Sequence, residues 1–245
     1  MISGLAPGPF FANRCQRPLS FNGETMARTF KGKRVAITSG PTRAAIDAVR
    51  YISNRSTGAL GAAIADECLR QGATATFFHG VGSLLPRAGA GLEILEIETV
   101  DDLVLALKKE LPRGEYDVFF HAMAVLDYVP ERESKSKIPS GKDALTVRLV
   151  KTAKVINFIK ELSPETILVS FKLEVGVTKD ELAEKARKMM RFSKSDFVLA
   201  NDLRTVVKGP HTAHLLDADG KFRGPFRGKE NIASALVEAV TESLD

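Results

Sequence analysis

Along the chain, short apolar runs alternate with stretches whose apolar side chains recur every three or four positions. Residues 35–38 (VAIT) read as a buried strand, and 73–79 as a second. Residues 92–98 alternate apolar and polar, as a third strand with one face open would. Further strands are predicted over 117–121, 145–150, 167–171 and 196–200, with a late one over 211–216. Between them, helical spacing predicts helices over 59–71, 100–111, 155–162, 179–191 and 229–243. Gly72 stops the first, and Glu181–Lys185 and Glu184–Lys188 support the fourth with pairs four apart.

This alternation predicts an α/β fold: a Rossmann-like, mainly parallel sheet with helices on both faces, in a single domain. Such sheets bind ligands at the carboxyl ends of their strands. The polar stretch 127–142 is too long for an ordinary connection and reads as a functional loop or lid. Residues 1–30 lack periodicity and read as a disordered or targeting-like tail before a nucleotide-binding domain over 31–245. Met26 is equally a candidate start.

Composition changes this picture little. Hydrophobic residues make up 44% and charged residues 27% of the 245, ordinary for a globular domain. The net charge is +5, and two of those charges come from Arg14, Arg17 and Arg28 less Glu24. No basic run interleaved with aromatics predicts a nucleic-acid partner. No apolar run is long enough to span a membrane. Cys15 and Cys68 lack metal-ligand spacing, which predicts a reducing, cytoplasmic compartment unless the tail is an organellar signal.

The candidate chemistry concentrates in residues 37–65. Gly40 follows the first strand, in Thr38-Ser39-Gly40-Pro41-Thr42, and Gly58 and Gly61 open the first helix. Glycine admits close backbone approach, and a helix N-terminus attracts anions, so both turns are candidate phosphate cradles. Tight helix packing accounts for Gly58 and Gly61 as well. A nicotinamide-dependent reductase would suit the glycine-rich helix start. However, no tyrosine precedes a lysine by four: Tyr51, Tyr116 and Tyr128 meet Arg55, Phe120 and Arg132. A P-loop sequence is also absent. His211 and His214 would point to opposite faces of a strand, which argues against zinc. His79 and His121, at strand ends, read as structural.

The segments TSGPTRAAIDAVRYISNRSTGALG, AMAVLDYVP, KIPS, LVKTAKVI, VSFKLE and VLAND occur in that order. Together, from about residue 34 to 231, they resemble the phosphopantothenate–cysteine ligase family, in its stand-alone form without a flavin domain. The resemblance implies a coenzyme A biosynthesis enzyme that joins 4′-phosphopantothenate to L-cysteine through an acyl-nucleotide, using Mg²⁺ with CTP or ATP. It implies a homodimer, no flavin, and no membrane or nucleic-acid partner. It implies Asn54 at the acyl intermediate and Lys137 at the triphosphate as catalytic residues. Nucleotide contacts would be Gly40, Pro41, Thr42, Asp127, Phe171, Lys172, Asn201 and Asp202, with Asp127 also near the metal. Arg55, Ser56, Thr57 and Gly58 would meet phosphopantothenate. Leu126, Val129 and the Pro139-Ser140 pair depart from the family's pattern. A nucleotide-binding subunit without turnover is the non-enzyme alternative.

Overall fold

The computed structural model describes residues 30–113, 116–141 and 143–244. The expectations for the N-terminal tail, including Cys15 and Met26, lie outside the described residues. The first unit is β1 (Arg34–Ser39), a hairpin of β2 (Arg43–Ala45) and β3 (Tyr51–Ser53), and α1 (Ala59–Arg70). Then come β4 (Thr74–Gly80), β5 (Leu92–Ile97), α2 (Val100–Glu110) and β6 (Val118–His121). An arm of β7 (Tyr128–Pro130) and β8 (Leu149–Lys151) precedes α3 (Val155–Leu162), β9 (Ile167–Glu174), α4 (Lys179–Ser193) and β10 (Phe197–Asp202). The chain ends in α5 (Leu203–Lys208), β11 (Thr212–Leu216), β12 (Phe222–Arg227) and α6 (Lys229–Thr241).

Eight strands form the main sheet in the order β12-β11-β10-β9-β6-β1-β4-β5. The six from β10 to β5 are parallel, and β11 and β12 add an antiparallel edge. The sheet is therefore entered in its middle at β1, built outward through β4 and β5, and resumed on the other side at β6. That reversal leaves a crevice between the carboxyl ends of β1 and β6, the switch point of a Rossmann-like sheet.

The two-residue period of the strands sorts side chains between two cores. Val35, Ile37, Val118 and Phe120 face α1 and α6, which contribute Ile64, Cys68, Ile232 and Leu236. Ala36 and Phe119 face the opposite layer, where α2 and α3 contribute Leu103, Leu107, Ile156 and Ile159. α4 covers β10 on that same side through Leu182 and Ala186. Helices α2 and α4 start at capping boxes, Thr99 with Asp102 and Thr178 with Glu181.

Two expectations change. The strand predicted over 145–150 shortens to Leu149–Lys151 and pairs with β7 outside the main sheet, so Leu145 and Leu149 stay exposed. The strand predicted to end at residue 200 continues through Asn201 and Asp202, because the ladder with β9 runs on to Glu174. As expected, no helix stands between β4 and β5; residues 81–91 form a loop that reaches the turn before α1 through Leu84.

Candidate active site at the switch point

Two turns meet here. After β1, Gly40 turns with φ +77°. Its carbonyl accepts from Ala124 N–H at 2.8 Å, and Thr42 N–H donates to Ala124 O at 3.3 Å. The Thr42 hydroxyl accepts from Leu126 N–H at 3.0 Å. Beneath them, Thr38 Oγ1 and His121 Nδ1 share a 2.7 Å bond between β1 and β6. Burial pushes the His121 pKa down to about 4, so its ring is neutral at physiological pH.

The second turn, residues 54–58, sits against the same segment. Asn54 Nδ2 donates to the carbonyls of Ala124 and Val125, both at 3.1 Å. The Ser39 hydroxyl donates to Gly58 O at 2.9 Å. Leu84 N–H, on the loop after β4, donates to Thr57 O at 2.9 Å. The turns after β1 and β6 and the entry to α1 therefore form one knitted layer.

The glycines open that layer to protein atoms. A Cβ on Gly40 would lie 1.8 Å from Ser83 Oγ, and one on Gly61 would lie 2.2 Å from Ser39 Oγ. One on Gly80 would lie 2.0 Å from Pro41 O. Ser83 lies beside both Gly40 and Gly58, where a Cβ on either would meet it. Ser83 lies in residues 81–91, where neither periodicity nor motif gave a signal. Thr42 is fully buried, so its side chain braces the turn and does not line its surface.

Asn54, Arg55 and Thr57 are exposed and Ser56 is half-buried. Arg55 has no hydrogen-bond or ion-pair partner among the described residues. Helix α1 follows Gly58 at its N-cap, with no cap bond from that residue and no acid in its first turn; the N–H groups of Gly58 and Ala59 make only long bonds, 3.4 Å each, to Ser56 Oγ and Thr57 Oγ1. Both donor hydrogens of Asn54 are engaged with carbonyls.

Asp127 follows the same segment, with its side chain 57% exposed, and meets Lys154 Nζ at 2.6 Å. The Thr152 hydroxyl donates to Leu126 O at 2.7 Å, fixing the segment from the return strand of the arm. Sequence reasoning missed Lys154, although it lies within LVKTAKVI. Lys137 is exposed on the strap 131–141 between β7 and β8.

The remaining expected residues lie on β9 and β10, at the same carboxyl edge but beyond β6. Phe171 is half-buried and packs on the first core. Lys172 pairs with Glu174 at 2.9 Å. Asn201 Nδ2 and His211 Nε2 lie 2.7 Å apart. Asp202 is buried; the Arg204 guanidinium and N–H hold its carboxyl well below the usual carboxylate range. It also accepts from Val177 N–H at 3.1 Å. Lys172 and Asp202 each hold an ion pair within their own chain. Residues 40–42, 54–58 and 122–127 come together; 171–172 and 201–202 form a second group.

Residues 30–244 match the family model for the DNA/pantothenate metabolism flavoprotein C-terminal domain. The Coenzyme A biosynthesis bifunctional protein CoaBC of Thermococcus kodakarensis is 35% identical over 217 residues, covering 89% of this chain and 53% of that protein. The chain thus spans about half the length of the curated relatives it matches. The crystal structure of the DNA/pantothenate metabolism flavoprotein from Streptococcus pneumoniae superposes with a TM-score of 0.79 at 31% identity, covering 86% of this chain and 99% of that one. The C-terminal domain of a CoaBC protein gives 0.73 at 25% identity, covering 89% and 98%.

Proposed function

Because the chain belongs to the DNA/pantothenate metabolism flavoprotein C-terminal domain family, we propose that it joins 4′-phosphopantothenate to L-cysteine, consuming CTP or ATP. The name of its relatives, coenzyme A biosynthesis protein, supports this reading. The observation that carries it is the layer at the switch point, where Asn54 and Thr42 tie two anion-suited turns to the segment that leads to Asp127.

A carboxylate is a poor acyl electrophile, since its charge repels nucleophiles and oxide leaves badly. In the proposed first step a carboxylate oxygen of phosphopantothenate attacks the α-phosphorus of the nucleotide. The bond to the β-phosphate oxygen breaks and pyrophosphate leaves. In the second, the cysteine nitrogen attacks the acyl carbon, the bond to the nucleotide oxygen breaks, and an amide forms with release of a proton and CMP or AMP. Phosphopantothenate and the nucleotide are both polyanions. The uncapped start of α1, unpaired Arg55 and exposed Lys137 supply positive potential without neutralising one another.

Arg55, Ser56, Thr57 and Gly58 are assigned to the phosphate of phosphopantothenate, and the turn 40–42 to the nucleotide. Asn54 would reach the acyl oxygen by releasing one of its two carbonyl partners, a neutral donor exchanging one acceptor for another. Phe171, Lys172, Asn201 and Asp202 are assigned to the nucleotide end, Asp202 also bracing the loop after β9 through Val177 N–H. Among the described residues no three His, Cys, Asp or Glu side chains cluster as metal ligands. Mg²⁺ commonly binds one or two carboxylates together with substrate phosphates, and exposed Asp127 fits that pattern once Lys154 turns away. Bound there, the ion would neutralise phosphate charge.

Exposed Val49, Tyr51, Tyr128 and Leu149 on the hairpin and the arm support a homodimer, which light scattering would test. No helix of the described residues is long and apolar enough to cross a membrane, and the cytoplasm is the proposed setting. The test of function is pyrophosphate release by the purified chain with phosphopantothenate, cysteine, Mg²⁺ and either nucleotide. Silence with both would remove the ligase reading, and tight NAD(P) binding would restore the reductase.

A further inference from the structure

Asp47 is buried at 2% exposure, in the turn between β2 and β3. Its carboxylate accepts from the N–H groups of Val49 at 2.9 Å and Arg50 at 2.8 Å. It also accepts from Arg50 Nε at 3.0 Å and from Arg50 Nη2. A further donor comes from far along the chain: Ile138 N–H reaches Asp47 Oδ2 at 3.0 Å. Arg50 Nη2 in turn donates to Ile138 O at 2.7 Å. One ion pair thus holds both main-chain polar groups of Ile138, as a neighbouring strand would.

Ile138 sits in the strap 131–141, directly after Lys137. The strap is not packed onto the core. It arches over a cavity of about 290 Å³ lined in part by Ile46, Ser134, Leu145 and Val147. Its other pins are single bonds, such as Ser134 N–H to Ile46 O at 3.1 Å.

We propose that Asp47 is a positioning residue which, through Arg50 and Ile138, clamps the strap and so sets where Lys137 stands. This rests on the reading of Lys137 as a triphosphate contact. The hairpin that carries the clamp is continuous with β3 and Asn54, so the acyl and triphosphate groups of the site share one mount. A buried carboxylate with this many donors is difficult to replace: asparagine keeps one acceptor and turns the other into a donor facing donors.

The test uses the full chain with Asp47→Asn. Two quantities are followed: trypsin cleavage after Lys135, and KM for the nucleoside triphosphate beside KM for cysteine. Expected are a roughly tenfold faster strap cleavage and a roughly tenfold higher nucleotide KM, with the cysteine KM changed less than about twofold. Should Asp47→Asn fail to fold, Ile138→Pro removes the strap-side N–H, keeps the bond after Lys135, and should give the same two effects. Unchanged cleavage in a folded variant overturns the clamp. Faster cleavage with an unchanged nucleotide KM overturns its link to Lys137. A wild-type chain silent with both nucleotides would defeat the ligase reading, and cleavage would still decide the clamp.

Discussion

Around Gly61, backbone and small side chains touch at every step: Ser39 fills the space a Cβ would need, and Ser83 does the same at Gly40. Around Lys137, the chain crosses a cavity and is held mainly through one ion pair. The first region lies on the switch-point strands; the second hangs from a hairpin and an arm outside the main sheet. A polyanion must be met by donors that do not relax away, which favours the packed region. On the proposed function, admitting the polyanion and releasing pyrophosphate would favour a cation on a strap held at few points.

The sharpest way to break this contrast is at the packed region. Gly80→Ala would drive a Cβ into the Pro41 carbonyl, backbone against backbone, and should cost roughly 4 kcal/mol by denaturant titration. An equal loss from Ala substitution at Gly141, which has open space around it, would erase the contrast.

Acid tests the same region differently. His121 has a folded pKa below its unfolded value, so the neutral ring contributes stability above about pH 6.5 that is lost as pH falls through about 4. By pH 4 this loss should be roughly 3 kcal/mol, and His121→Gln should lose that much less between pH 7 and pH 4. Parallel curves for the two proteins would mean that the ring is already solvated.

At the seam between the regions, Asn54→Asp turns a donor into a charged acceptor facing the Ala124 and Val125 carbonyls. Turnover should fall about a hundredfold, with acyl-nucleotide accumulating in quenched samples. Asn54→Ala should impair the second step less. Smallest is Lys137→Gln, expected to slow pyrophosphate release about tenfold while the second step changes little, since the phosphate charge has by then departed. Equal slowing of both steps would make Lys137 a general binding group.

Much of this organisation was legible beforehand, and what escaped shares a cause. Helices such as Val155–Leu162 and buried strands such as Arg34–Ser39 announce themselves through local periodicity. The hairpin β2–β3, strand β7 and strand β12 do not, because three- to six-residue strands with exposed faces owe their existence to partners elsewhere in the chain. The motifs pointed to Asn54 and Asp127, which the fold brings together. They gave no sign that Lys172 and Asp202 are occupied by Glu174 and Arg204, nor that Asp47 reaches Ile138. Such pairings depend on register and burial, which become visible only in three dimensions.

Cys68 carries a consequence for work among free thiols. It is wholly buried between α1 and the sheet, and burial, aided by the Glu67 charge, pushes its thiol well above the ordinary range. Thiolate is the form that attacks disulfides, and this sulfur neither ionises nor meets solvent. A cystine molecule or an oxidised product drifting past α1 would therefore find no sulfur to exchange with until the helix itself came away.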